Sequence, residues 1–190
     1  MNEMKTGRLE AFSDGVLAII ITIMVLELKA PETAEFSALL PRIPLFIGYL
    51  ISFIYLGIYW NNHHHLFQLA EKVNGRILWA NLHLLFWLSL IPFTTAWIGE
   101  HHAATAPVVL YGFILFMSAL AYKLLQGSII KHHDADFPLK KAIGRDVKGK
   151  LSVFLYLAGM LSAFANTWPA LAIYLLVALM WLSPDRRLRN

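Results

Sequence analysis

The sequence predicts an all-α integral membrane protein whose six transmembrane helices fill one domain, residues 1–190. Two observations predict this fold class. Of the 190 residues, 58% are hydrophobic and only 15% are charged, and the mean hydropathy of +0.57 is far above that of a soluble domain. Apolar stretches of about 20 residues, enough to cross roughly 30 Å of hydrocarbon, recur along the chain. They use nearly every residue, so no soluble domain remains.

Clusters of charge divide the apolar sequence into six spans. Pro44 opens the second span, where its missing N–H costs little, and Pro169 opens the sixth in the same way. Pro92 predicts a kink in the third span, where the threonines that follow it can satisfy freed carbonyls. The fifth and sixth spans are short and share a minimal turn at Asn166 and Thr167. The predicted bounds are about 9–29, 43–67, 77–98, 103–128, 149–165 and 168–183.

The distribution of lysine and arginine predicts that both termini lie in the cytoplasm, because short cytoplasmic loops hold the excess of positive charge. One side of the membrane receives both termini and the second and fourth loops, which together hold most of the 16 basic residues. The other side receives Lys29 and Arg42, while Lys123 falls inside the fourth span. The pI of about 9.4 therefore has a topological cause. The expected partner is a lipid bilayer, with no nucleic acid.

The first span carries a stripe of side chains along one face. Successive residues of an α-helix are about 100° apart, so with Asp14 at zero, Ile19 falls at about 140° and Thr22 at about 80°. Ile23 at about 180° and Leu26 at about 120° complete the stripe. Small residues beside it would let another helix approach closely. Geometry alone leaves two interpretations open, a packing seam inside a bundle and the lining of a pore.

Asp14 points about 120° away from the centre of the stripe, so its carboxylate needs a partner on another helix. An intramembrane carboxylate costs about 2.5–3.5 kcal/mol on insertion scales and is usually paired or functional. The second span ends in YWNNHHHLF, which brings an indole and imidazoles to the depth of Asp14. We expect a buried polar clamp that fixes the inner end of the first helix. Its expected members are Arg8, Ser13, Asp14, Trp60 and either His63 or His64.

The three consecutive histidines, His63 to His65, also raise the possibility of a metal or haem site. Neighbours on a helix diverge by about 100°, so all three cannot reach one ion, and we expect no metal site. A membrane oxidoreductase would use His63, His64 or His83 as haem ligands, and a proton-coupled secondary transporter would use Asp14. The sequence lacks an obvious pair of facing histidines at matched depth, an inverted repeat and glycine-broken helices, which weakens both alternatives.

A family resemblance enters at the first two spans. The pattern R-x-x-x-F-S-D, formed by Arg8, Phe12, Ser13 and Asp14, followed by the apolar run and by the tryptophan and histidines of the second span, resembles the prokaryotic branch of the transmembrane protein 175 family. The resemblance implies a homotetramer in the bacterial inner membrane, with the first helix of each subunit lining a central pore. It implies a potassium-permeable, potassium-preferring cation channel that is not an enzyme and needs no cofactor. The family has no TVGYG filter loop, and none occurs here.

The same resemblance implies roles for the stripe. Ile19, five residues after the aspartate of the motif, corresponds to the narrowest ring of the pore, and Thr22 matches a hydroxyl-bearing residue associated with potassium preference. Ile23 and Leu26 match further apolar rings. Such a ring stays dewetted when narrow and passes a partly hydrated ion when wider. Ala18 departs from the pattern, since some animal relatives have a serine there.

Overall fold

The computed structural model describes residues 4–70, 72–133, 137, 140 and 146–182. These residues form seven α-helices, of which the third and fourth follow each other within one span. One 3₁₀ segment, Met24–Glu27, ends the first helix and another, Phe36–Arg42, leads into the second. The α-helices are α1 Gly7–Ile23, α2 Ile43–Leu69, α3 Gly75–Ser89, α4 Ile91–Glu100, α5 Thr105–His132, α6 Val147–Ala163 and α7 Thr167–Leu182.

Each predicted span coincides with a helical segment, because the charge clusters that delimit the spans lie at the helix ends. Four segments are long and apolar enough to cross a membrane, namely Gly7–Glu27, Phe36–Leu69, Gly75–Glu100 and Thr105–His132. The apolar α7 is shorter, with 16 residues, and α6 has 17. The prediction of an all-α membrane protein with six helical segments is thus confirmed.

The third span is interrupted close to the proline that predicts its kink. Helix α3 ends at Ser89 and α4 begins at Ile91, with Pro92 in its first turn. Proline lacks the N–H that would continue the hydrogen-bond ladder, and its ring crowds the preceding turn. At the break, the N–H of Leu90 donates to the carbonyl of Trp87, three residues earlier, at 3.2 Å. The hydroxyl of Thr95 donates to the Ile91 carbonyl at 2.8 Å. Backbone groups at the break are therefore hydrogen-bonded within the span itself.

Helix α5 forms the centre of the subunit, with α3, α4, α6 and α7 packed around it. The closest approach is made by the ring of Tyr174 on α7, which lies against Gly112 of α5 and Gly159 of α6. A Cβ atom at either glycine would overlap that ring. Small residues allow such close contact between helices in lipid, where packing replaces the hydrophobic effect as the main source of association.

A short strand pair joins the start of the chain to the connection between α2 and α3. Strand β1, Met4–Lys5, pairs antiparallel with β2, Lys72–Val73, in the register Met4 to Val73 and Lys5 to Lys72. Two-residue strands are too short to leave a periodic signal, so the sequence does not predict them. The charged connection from Lys131 to Lys150 also predicts a short interfacial helix around residues 139–145, and this segment falls almost wholly outside the described residues.

Candidate pore-lining surface and its polar anchor

Helix α1 divides into a buried face and an exposed face. The side chains that pack into the subunit are Leu9, Ser13, Leu17, Ile20 and, in the 3₁₀ turn, Met24. Around the axis these positions cover an arc of about 80°, centred about 140° from the middle of the predicted stripe. The interior of the subunit therefore holds α1 by the side opposite the stripe.

The stripe itself lies on the outer surface of the subunit. The exposed fraction is 58% for Ile19, 44% for Ile23 and 71% for Leu26. Thr22 is exposed as well, and its hydroxyl donates to the Ile19 carbonyl at 3.0 Å. Leu26 sits in the 3₁₀ turn, where side chains three residues apart eclipse, so it lies above Ile23 and not at the angle expected from α-helical geometry.

Asp14 is bonded to the second helix. The indole N–H of Trp60 donates to Asp14 Oδ1 at 3.0 Å, and the Trp60 ring stacks on the imidazole of His64, with ring centroids 6.0 Å apart. The carboxylate of an acidic residue inside a span thereby receives a hydrogen bond, which lowers the cost of keeping it there.

Glu10, one helical turn before Asp14, also contacts α2. His64 Nδ1 lies 3.0 Å from Glu10 Oε1, and His64 Nε2 lies 2.8 Å from Gln68 Nε2. Glu10 is not among the expected members of the clamp. A signal for it exists, because Glu10 and Asp14 are four residues apart on one helix and His64 and Trp60 are four apart on an antiparallel one.

A second set of bonds runs through the buried centre of the anchor. Asn81 of α3 donates through Nδ2 to Ser13 Oγ at 2.9 Å, and its Oδ1 lies 2.7 Å from His63 Nε2. Ser13 in turn donates to the Leu9 carbonyl at 2.8 Å. All three side chains are at most 1% exposed. Both histidines are thus engaged, His63 with α3 and His64 with α1, and Asn81 is a further member that the sequence does not predict.

Arg8 and Phe12 do not join these bonds within the subunit. Both side chains are exposed, Phe12 by 50%, because they fall at about 120° and 160° from Asp14 and so share the side of the stripe. Within the described ranges, Arg8 makes no hydrogen bond or ion pair. The expected clamp is corrected accordingly: Glu10 and Asn81 belong to it and Arg8 lies outside it. It is also not buried throughout, since Trp60 is 44% exposed and only Ser13, His63 and Asn81 are fully buried.

The remaining histidine with a suggested role is engaged on its own helix. His83 Nε2 accepts a hydrogen bond from the indole of Trp87 at 2.9 Å. In the part of the chain that the structure describes, no three histidine, aspartate or glutamate side chains group closely enough to hold a metal ion.

Comparisons with known proteins fit this arrangement. A potassium channel of Chryseobacterium sp. (strain P1-3) is 57% identical over 187 residues, which cover 98% of this chain and 97% of that one. A potassium channel of Chamaesiphon minutus is 32% identical, and the match covers 93% of both chains. The fold matches the crystal structure of a lysosomal potassium-selective channel TMEM175 homolog from Chamaesiphon minutus, with a TM-score of 0.80, 28% identity and coverage of 95% of this chain and 97% of that one.

The helical fold and these relatives define a multi-pass membrane protein of the channel class, not an enzyme. The sequence profile described as endosomal/lysosomal potassium channel TMEM175 matches residues 8–92, which contain the anchor and the stripe. The chain belongs to the TMEM175 family. The predicted family is therefore confirmed, and the oxidoreductase alternative is overturned.

Proposed function

We propose that the protein is a potassium-permeable channel in which four subunits surround a central pore lined by α1. One observation carries the proposal: the predicted stripe of α1 is exposed while the polar residues of the same helix are bonded inward to α2 and α3. Two relatives named as potassium channels match nearly the whole chain.

The exposed side chains of the stripe must face something outside the subunit, and a pore on a symmetry axis between subunits is such an environment. A single chain contributes one such helix, so a closed pore needs several copies related by rotation. Four copies would place four Ile19 side chains in one ring, the narrowest point of the proposed pore. A ring of branched apolar side chains excludes water when narrow and conducts when it widens.

Thr22 lies about one turn beyond this ring and is the expected source of potassium preference. A hydroxyl has one donor and two acceptor lone pairs. Because the hydroxyl hydrogen of Thr22 is used on the Ile19 carbonyl, the lone pairs of Oγ1 are available on the outer side of the helix. Four such oxygens would replace part of the hydration shell of a cation. Ile23 and Leu26 would form apolar rings further along.

The polar anchor supports the pore by fixing the rotation of α1. Bonds from Trp60 to Asp14 and from Asn81 to Ser13 hold the helix from two neighbours. A rotation of α1 by one residue, about 100°, would turn Ile19 away from the axis. The anchor thus sets which side chains face the proposed pore without itself contacting the ion.

The expected orientation has both termini in the cytoplasm of a bacterial cell, in the inner membrane. The connection between α2 and α3 and the start of the chain lie together through the β1–β2 pairing, and both carry basic residues. This side is cytoplasmic under the positive-inside rule. The anchor then lies at the inner end of the pore and Ile19 further out.

Cation flux into liposomes tests the proposal. We expect purified protein to pass potassium in preference to sodium, and Ile19→Asn to raise flux and reduce selectivity because a polar ring hydrates readily. A matched control is Leu179→Asn on α7, where the side chain is 53% exposed but far from α1, and we expect it to leave both quantities unchanged.

Two results would count against the proposal. If native protein passes no cation, the proposed channel function is wrong. If Ile19→Asn and Leu179→Asn have equal effects, the proposal that α1 lines the pore is wrong. The mass of the detergent-solubilised assembly is an independent measurement, since a tetramer has about four times the mass of the 21.5 kDa chain.

A further inference from the structure

A second candidate site lies on the side of α2 away from the contacts with α1, and its lining is mainly apolar. It is a cavity between α2, α5, α6 and α7, lined on its aromatic side by Tyr59, Tyr122, Tyr156 and Trp181. The cavity volume is about 60 Å³, which is room for about five water molecules. Along α2 it extends from Tyr55 to Asn62, a rise of about 10 Å. Its size and shape fit a small elongated polar group.

Charges of both signs line the same cavity. Lys123 of α5 and Asp146, which caps α6, both contribute, and Lys123 Nζ lies 3.5 Å from Asp146 Oδ2. That separation exceeds the 2.7–2.9 Å typical of a charge-assisted hydrogen bond. The side chains are 30% and 24% exposed. A partly buried pair at this distance leaves each charged group with hydrogen-bonding capacity for a ligand.

Hydrogen bonds among the lining residues fix the shape of the cavity. Asp146 Oδ1 accepts a hydrogen bond from the Gly149 N–H at 3.2 Å, and a Cβ at Gly149 would overlap this carboxylate. Trp181 donates to Ser152 Oγ at 2.8 Å, and Tyr122 donates to the Asn62 carbonyl at 3.1 Å. These bonds fix the aromatic rings around the charged pair.

We propose that this cavity binds a small zwitterion, with its acidic oxyanion at Lys123 and its ammonium group at Asp146 and the surrounding aromatic rings. A lone anion would meet the Asp146 carboxylate and a lone cation would meet Lys123, whereas a zwitterion satisfies both. Tyrosine rings add attraction for an ammonium group within about 6 Å, whereas the Trp181 ring already has Lys148 Nζ 5.9 Å from its centroid. Two sources carry this chemistry, the headgroup of an ethanolamine phospholipid and a free cytoplasmic zwitterion.

Binding at this site would act on the pore through α2. Tyr55 and Asn62 point about 140° and about 160° away from Trp60 around the axis of α2, so one helix contacts the cavity with one face and holds α1 with the other. This regulatory step rests on the proposed channel function, while the binding step does not.

Binding is tested first, with short-chain phosphatidylethanolamine, phosphatidylglycerol of the same chains, and soluble glycerophosphoethanolamine, each added to purified protein in detergent. Native mass spectrometry and thermal melting give affinity. We expect phosphatidylethanolamine to bind about tenfold or more tightly than phosphatidylglycerol, the factor that one hydrogen bond to a charged group supplies. Equal stabilisation by glycerophosphoethanolamine assigns the site to free zwitterions, and stabilisation by the lipid alone assigns it to the headgroup.

Variants then locate the site. Lys123→Met and Asp146→Asn each remove one charge, and asparagine retains both the capping oxygen and the tolerance of the backbone conformation at position 146, where φ is 41°. Ala119→Phe fills the cavity without changing charge. We expect each to weaken binding about tenfold or more, whereas Lys131→Met, on the exposed surface of the same helix, does not.

Equal affinity for phosphatidylglycerol, or binding unaffected by all three cavity variants, overturns the inference. Flux separates it from the proposed function. Ligand that binds and changes potassium flux in native protein but not in Lys123→Met supports both. Protein that binds the ligand and conducts no cation contradicts the proposed function and leaves the binding site standing.

Discussion

The indole N–H of Trp60 and the carboxylate of Asp14 meet at 3.0 Å across the interface of α1 and α2. One helical turn away, His64 and Glu10 meet at the same distance. The two contacts form an antiparallel ladder in which each step of four residues up α1 matches four residues down α2. This ladder defines both the height and the rotation of α1 relative to α2.

Removing the hydrogen bond between Trp60 and Asp14 should weaken the attachment of α1 to α2. In Trp60→Phe the ring can still stack on His64, but Asp14 loses its donor, so we expect a loss of stability of about 1 kcal/mol for this partly exposed contact. Thermal melting in detergent measures it. Trp79→Phe is the control, since Trp79 is 75% exposed. A cycle with Asp14→Ala isolates the pair energy, and additive effects of the two changes would contradict a direct bond.

Asn81 should matter more than its neutral side chain suggests. Asn81→Leu keeps a similar volume but leaves the buried hydroxyl of Ser13 and Nε2 of His63 without their partner. We expect destabilisation of about 1–3 kcal/mol. Asn61→Leu, on the exposed surface of α2, is the matched control. Similar melting temperatures for the two variants would show that the buried bonds contribute nothing to stability.

Gly112 should not accept a methyl group. In Gly112→Ala the new Cβ overlaps the Tyr174 ring, and overpacking of this kind costs about 1–3 kcal/mol. Gly127 lies on the same helix and has open space at its Cβ position, so Gly127→Ala should change stability by less than about 1 kcal/mol. Chemical unfolding of both variants in mild detergent gives the difference. A larger effect at Gly127 would mean that helix propensity, not packing, governs α5.

Thr22→Val should reduce preference for potassium over sodium while leaving a conducting pore. Valine has the shape of threonine without the oxygen that the proposed ring offers to the ion. Thr22→Ser keeps that oxygen and should restore most of the preference. Reversal potentials under mixed potassium and sodium gradients measure both variants. Unchanged selectivity in Thr22→Val would exclude this hydroxyl as a determinant.

The spans and the break in the third one follow from the sequence because their causes are local. Charged residues such as Lys29 and Arg76 lie close to span ends, and Pro92 removes a backbone donor wherever it sits in a helix. Residue spacing also places Ile19, Thr22, Ile23 and Leu26 on one side of α1, but it does not decide whether that side is buried or exposed.

The partners inside the anchor depend on registers that one helix does not encode. Asp14 predicts a partner, but whether it comes from Trp60, His63 or His64 depends on how far α2 is shifted along α1. Asn81 enters from a third helix and has no sequence neighbour in the network. The outward position of Arg8 is readable from its angle, yet its charge suggests an inward role that the structure does not give it.

The pairing of Met4–Lys5 with Lys72–Val73 has a consequence for the biogenesis of the protein. Its two halves are separated in sequence by all of α1 and α2, so the pair cannot close until both helices have been inserted and turned antiparallel. Closure then ties the two ends of that hairpin on one side of the bilayer.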